Sequence, residues 1–123
     1  MLTLDDFKYK LKNLLAKFED CCLAFDEEKM QSRFAVLDEL RSSPDLYSNP
    51  KRAAEINAEA KYISDKLDEL KGYRSGLDDL STLIELVEME DGGDEYLDEI
   101  ENSLSSLTQS VDSLFLQTLL KGE

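Results

Sequence analysis

From Pro50 onward, apolar residues recur at Ile56, Ala60, Ile63, Leu67, Leu70, Tyr73, Leu77, Leu80, Ile84 and Val87. Steps of four and three alternate along almost the whole run, the spacing that keeps one stripe of a helix facing its partners. About 40 residues at 1.5 Å each make a rod on the order of 60 Å. Such a length suits a coiled-coil arm better than a helix confined to a small globule. The alternation slips once, where Leu67, Leu70 and Tyr73 follow at consecutive threes beside Gly72 and Gly76. A three-residue slip overwinds a coil locally, so a kink or soft spot is predicted near Gly72, with close helix packing as the reason to keep the glycines.

The rest of the chain supplies partners for that helix. Leu97, Ile100, Leu104, Leu107, Val111 and Leu114, with Leu119 and Leu120 near the end, form a second seam. It follows EDGGDE, where Gly92 and Gly93 suit a left-handed or turn conformation and Asp94 suits a cap, so an antiparallel hairpin with an acidic tip at residues 88–99 is predicted. Upstream, Leu4, Phe7, Leu11, Leu14, Phe18, Cys21 and Phe25 make a third seam. Thr3 serves as its N-cap, with Asp5 and Asp6 in the first turn where the helix dipole favours acids. Asp26 can cap a further stretch carrying Met30, Phe34, Leu37 and Leu40, either after a short break or as a kinked continuation. SSPDLYSNP then ends any helix, and Asn49 with Pro50 reads as N-cap and first position of the long one. No alternating strand pattern competes. The expected fold is all-α, an elongated antiparallel three- to four-helix coiled-coil bundle forming a single domain over residues 1–123, a typical domain size.

Charge narrows the partners. Twenty-eight acidic residues face 14 basic ones with no His, a formal charge of −14. Diffuse attraction to nucleic acid or an anionic membrane is therefore disfavoured. Residues 75–120 contain 12 acids and no base. These carboxylates read either as solvated outer faces or as an acidic surface for a partner. No run is long enough to span a bilayer and the N-terminus lacks the order of a secretory signal, so a cytoplasmic protein is expected. Cys21 and Cys22 are adjacent and imply no disulfide framework: Cys21 reads as core, Cys22 as a free thiol.

Catalytic chemistry has little to stand on. There is no His for proton transfer, no Gly-rich phosphate loop, no nucleophile elbow and no metal-ligand spacing. No catalytic, cofactor or metal residue is assigned, and the residues by themselves support a scaffold or docking module.

One segment is more specific. Pro44, Asp45, Leu46, Tyr47, Asn49, Pro50, Lys51, Ala53 and Ala54 resemble the helix-breaking "PD-hydrophobic-aromatic-x-x-P-x-x-A" segment in the helical domain of bacterial class I peptide chain release factors, of the type that reads UGA and UAA. The family's usual Trp is Tyr47 here, which keeps an aromatic anchor. Leu77, Asp78, Asp79, Leu80, Leu83, Glu85 and Leu86, before the acidic turn, are similar to the family's "L-x-D-hydrophobic" and "L-x-E-L" runs. Leu119, Leu120, Gly122 and Glu123 are similar to the stretch leading into the factor's core. The resemblance covers residues from about 26 to the end, and the Leu/Glu-rich parts of it match many bundles.

The resemblance implies a non-catalytic module of translation termination, since the family's codon-reading loop and Gly-Gly-Gln tripeptide do not occur in these residues. It implies docking of the factor at the ribosome, near the large-subunit stalk base, against its protein and rRNA, with the factor's remaining domains as further partners. DNA and membrane are not expected as partners, and the chain is expected to be a monomer. Local bases would have to touch rRNA, and Lys51, Arg52, Lys61, Lys71 and Arg74 are the candidates, the other reading being solvated charges. The competing reading of the whole chain is an unrelated coiled-coil adaptor or chaperone-like bundle that self-associates through its seams.

Overall fold

The computed structural model describes residues 2–90 and 93–121, and among them four α-helices and two 3-10 turns but no strand. The helices are α1 (Leu4–Phe25), α2 (Glu27–Arg41), α3 (Pro50–Met89) and α4 (Leu97–Lys121). The all-α reading is therefore correct. The chain divides into two compact units, one of Met1–Ala24 with Gly72–Glu123 and the other of Phe25–Lys71.

Helix α1 begins as the sequence requires. The amide of Asp6 donates to Thr3 Oγ1 at 3.2 Å while Asp6 Oδ2 accepts from the Thr3 amide at 2.8 Å, a reciprocal box that satisfies donors left over at a helix start. Asp26 ends α1 and starts α2 in one residue. Its backbone is left-handed, at φ 56° and ψ 64°, and its side chain accepts from the amide of Lys29 at 3.3 Å. A short polar side chain is among the few that tolerate that conformation, so the break is a single residue. Asn49 caps α3 in the same way, accepting from the Arg52 amide at 3.2 Å ahead of Pro50.

The first unit is three-helical. Arg74 stacks over Phe18, while Lys8 reaches Glu88 at 3.0 Å, so α1 runs antiparallel to this part of α3. Lys17 reaches Asp112 at 2.7 Å and lies over the Phe115 ring, joining α1 to α4; because α4 returns along α3, with Gly76 against Leu107, α1 runs parallel to α4. Phe7, Leu11, Leu14, Phe18 and Cys21 of α1 are buried, as are Leu77, Leu80, Ile84 and Val87 of α3 and Ile100, Leu104, Val111 and Leu114 of α4. These are seam positions predicted from spacing. Leu119 and Leu120 are mostly exposed, and Leu107 is half-buried.

The second unit packs α2 against the early part of α3. Phe25, Met30, Leu37, Leu46, Ala53, Ile56, Ala60, Ile63 and Leu70 are its buried apolar residues. Phe34 and Leu40, expected to be core, are half-buried. Between the helices Pro44–Ser48 forms a 3-10 turn that buries Leu46 and leaves Tyr47 60% exposed. The anchor of this segment is the leucine, not the aromatic residue. Lys66 is also buried while Leu67 is only half so. The slip in spacing displaces the buried stripe by one position here. The stem of Lys66 fills that place while its ammonium sits over the Phe25 ring and 2.7 Å from Glu69.

The glycines separate by environment. Helix α3 passes Gly72 without a break, and nothing lies within 4 Å of where a Cβ would stand. Gly76 does permit close approach: a Cβ there would be 3.1 Å from Leu107 Cδ2 on α4. Gly92 lies outside the described residues. Gly93 is buried and not left-handed; an added Cβ would stand 2.8 Å from Val87 Cγ1 and 3.2 Å from the Val87 carbonyl oxygen. It is required by crowding rather than by φ. Asp94 belongs to the 3-10 turn Gly93–Tyr96 and is not the cap of α4, which starts three residues later at Leu97. Gly72→Ala should therefore raise stability by about 1 kcal/mol through helix propensity alone, and Gly93→Ala should lower it by about 1–3 kcal/mol through overpacking. Thermal melts of the two variants check the opposite signs.

Candidate functional site

The five candidate bases all lie on α3 but do not converge. Lys51, Lys61 and Lys71 are ten residues apart, so each is rotated by about 80° from the last around the helix. Lys51, Arg52 and Lys71 are exposed and make no ion pair with the described residues. Lys61 is exposed and pairs with Asp65 at 2.9 Å. Arg74 is half-buried: its guanidinium lies 5.3 Å from the Phe18 ring centroid, and Nη2 approaches Cys22 Sγ at 3.4 Å. Its charge is held against α1 within the first unit.

Lys51 and Arg52 are unusual for their position. They occupy the first turn of α3, which contains no acidic residue. The amide ends of a helix carry partial positive charge, so cations there are disfavoured by about 0.3–1 kcal/mol each. Two exposed cations at the positive end of the helix make a local positive site in a strongly acidic protein, although Pro50 has no N–H and Asn49 already takes up the Arg52 and Ala53 amides.

Ion pairs elsewhere tie elements together. Arg33 makes a two-pronged contact with Glu59, at 2.7 and 2.9 Å, joining α2 to α3 inside the second unit. Its hydrogen bonds hold the Glu59 carboxyl below its ordinary range and raise Arg33. The backbone and hydroxyl of Thr3 likewise lower Asp6. A carboxyl lowered in the folded state contributes stability that is fully present above the unfolded-state range, about pH 5, and lost as pH falls through the folded-state values. Acidification below about pH 4 should thus remove both contributions. In melts followed across pH, Asp6→Asn combined with Glu59→Gln should flatten the acid limb; an unchanged limb would contradict the assignment.

Two seams of the first unit are crossed by a lysine. Lys17–Asp112 spans the groove between α1 and α4, which has a volume of about 540 Å³ and a floor including Phe7, Leu14 and Leu104. Lys8–Glu88 spans the α1–α3 seam beside Leu11 and Ile84. The third seam, between α3 and α4, holds a groove of about 600 Å³ lined by Leu80, Leu83, Leu107, Asp79 and Glu99, among others. No ion pair crosses it among the described residues. The sequence reading missed this groove. Its only advance signal was the absence of any base in residues 75–120.

Burial raises the Cys21 thiol. Neither cysteine is in a disulfide, and Cys22, expected as a free thiol, is instead buried with Arg74 Nη2 at 3.4 Å from its sulfur. Among the described residues no group of three or more His, Cys, Asp or Glu is placed to hold a metal ion. No described helix is long and apolar enough to cross a membrane.

Comparison with known proteins places this arrangement in a family. The PCRF domain matches residues 30–122. Peptide chain release factor 2 of Salinispora tropica is 33% identical over 119 residues, covering 96% of this chain and 31% of that protein. Peptide chain release factor 2 of Streptomyces avermitilis is 30% identical over 118 residues, covering 96% and 32%, and that of Nautilia profundicola 30% over 122 residues, covering 98% and 33%. The chain thus spans about a third of the length of the curated relatives it matches. The likeness to the helical domain of type 2 release factors, first suggested by the segment from Pro44 to Ala54, extends over nearly the whole chain, and the chain belongs to the PCRF domain family.

Proposed function

We propose that this chain is a non-catalytic docking module of a peptide chain release factor, acting in the cytoplasm, that holds the factor on the ribosome near the large-subunit stalk base. The family supplies the context, and the observation that carries docking is the pair Lys51 and Arg52. Exposed, unpaired and set at the positive end of α3, they form a local anion-binding spot of the kind that phosphate oxygens of rRNA fit. The overall charge of −14 makes such contact local rather than diffuse and favours protein surfaces for the rest of the interface. Lys61 and Lys71 are secondary contacts on this reading, and Arg74 serves mainly to pack against Phe18. The remaining domains of the factor are the other partners, and the chain itself is a monomer.

Saturable binding of the purified chain to large ribosomal subunits, at one copy per subunit, is the expected result. Reversing Lys51 and Arg52 together to Glu should weaken it by about tenfold and reduce its salt dependence. Absence of binding at tens of micromolar, or indifference to both reversals, would overturn the proposal. Sedimentation at two concentrations separates the adaptor reading, which requires self-association where docking requires a monomer.

A further inference from the structure

We infer that the α3–α4 seam of the first unit is a docking groove for a cationic amphipathic helix of a partner protein. The starting point is a difference among three seams of one small unit. Each joins two helices over an apolar floor, but the two that involve α1 are crossed by its lysines, Lys8 to Glu88 and Lys17 to Asp112. The α3–α4 seam has Asp79 on one bank and Glu99 on the other, and neither has an ion-pair partner among the described residues. The sequence explains why. Both banks come from residues 75–120, where 12 acids occur without a base.

The floor suits a helix. Gly76 contributes no side chain, and Ser103 and Ser106 contribute small ones, so the groove is open above Leu107, while Leu80 and Leu83, on adjoining turns of α3, supply its apolar floor. Leu83 and Leu107 remain half-exposed within it. Leucines on one face of an incoming helix would cover these positions, and Lys or Arg on its flanks would meet Asp79 and Glu99, the helix-in-groove mode with complementary charge. Charge selects the occupant. A second copy of this chain, at −14, or a nucleic-acid backbone would bring like charge to the groove. The inference stands apart from ribosome docking, because it concerns different residues and is tested without ribosomes.

The probe is a synthetic helical peptide of about 18 residues, five helical turns, with leucines at helical spacing on one face and lysines flanking them. It is titrated into the full 123-residue chain. Binding with a Kd on the order of 10 µM at low salt is expected, in the range of weak, transient contacts. Amide shift changes should centre on Leu83, Ser103, Ser106 and Leu107. Asp79→Lys with Glu99→Lys should weaken binding by about tenfold or more, whereas Glu19→Lys with Asp68→Lys, the same change in net charge away from the groove, should alter it by less than about twofold.

Equal weakening by the two pairs, equal binding of a lysine peptide whose leucines are replaced by serine, shifts confined to the α1–α4 groove, or no binding at millimolar peptide would each overturn the inference. The shift map on the unmodified chain decides the matter if the groove variant does not fold. Peptide binding without ribosome binding would support the groove while counting against the docking function, and the reverse pattern would do the opposite.

Discussion

Leu104→Asp is expected to abolish cooperative folding of the unit formed by α1, the later part of α3 and α4. Leu104 is 5% exposed, in the middle of α4 between the buried Ile100 and Val111. Helix α4 itself carries no base before Lys121, and of the α1 bases that line the adjoining groove, Lys10 is solvated and Lys17 is already paired with Asp112. An uncompensated charge in such a site costs about 3–5 kcal/mol, against a total for a domain of this size of about 5–15 kcal/mol. Far-UV circular dichroism should show a large loss of helix and a melt that is shallow or absent. Ser105→Asp, one residue along on the exposed side, is the matched control and should melt within a few degrees of the parent. Equal melting of both variants would show that the α4 register is wrong.

Leu46→Ala is the second large effect, and it lies in the other unit. Leu46 is 5% exposed within the 3-10 turn Pro44–Ser48, where it is the buried side chain that fixes the connection from α2 to α3. Removing a buried leucine's branched end costs about 2–5 kcal/mol, the spread reflecting how far the surroundings collapse into the space. Tyr47→Ala, at the neighbouring position, should change stability by only about 0.5 kcal/mol, since its ring is mostly solvated. Chemical denaturation of the two variants measures the contrast. If Tyr47→Ala proves the more costly, the aromatic residue is the anchor after all and the placement of Leu46 fails.

That pair also illustrates what the sequence could and could not convey. The helices themselves were legible: the seams from Phe7 to Phe25 and from Ile100 to Leu114 are buried where spacing put them, except for the half-buried Leu107, and Thr3, Asp26 and Asn49 cap the helices they precede. Caps are local, depending on one side chain and an amide two or three residues on, so residue type nearly decides them. The order of helices also survived, because glycines and prolines punctuate it. What failed depended on a rotation or a choice among neighbours. At Leu46 and Tyr47 two adjacent apolar residues competed for one buried place, and a 3-10 turn with three residues per turn selected the first. At Lys66 and Leu67 the slip in spacing moved the stripe by a residue, and a lysine stem served as apolar surface, which no hydropathy pattern marks. Asp94 had the chemistry of a cap, but the turn occupied by Gly93–Tyr96 postponed the helix.

The candidate site was legible in part. Charge counting placed most bases before residue 75 and found none from there to residue 120, and the structure shows where that asymmetry falls: Lys51 and Arg52 stand exposed at the start of α3, and no ion pair crosses the α3–α4 seam among the described residues. Counting could not reveal that Arg74 is occupied by Phe18 and Cys22, because that contact joins residues more than fifty positions apart. Nor could it distinguish three seams whose apolar floors are alike. The distinction arises only when α1 is found to lie parallel to α4 and to lend its lysines to two seams of the three.

The most direct test of the central claim is to measure binding of the labelled chain to large ribosomal subunits prepared with and without the stalk-base protein. Docking predicts saturable binding at one copy per intact subunit, a loss of about tenfold or more in affinity when that protein is missing, and recovery when it is added back. Binding that is equal on both preparations, or absent from both at tens of micromolar, would contradict it.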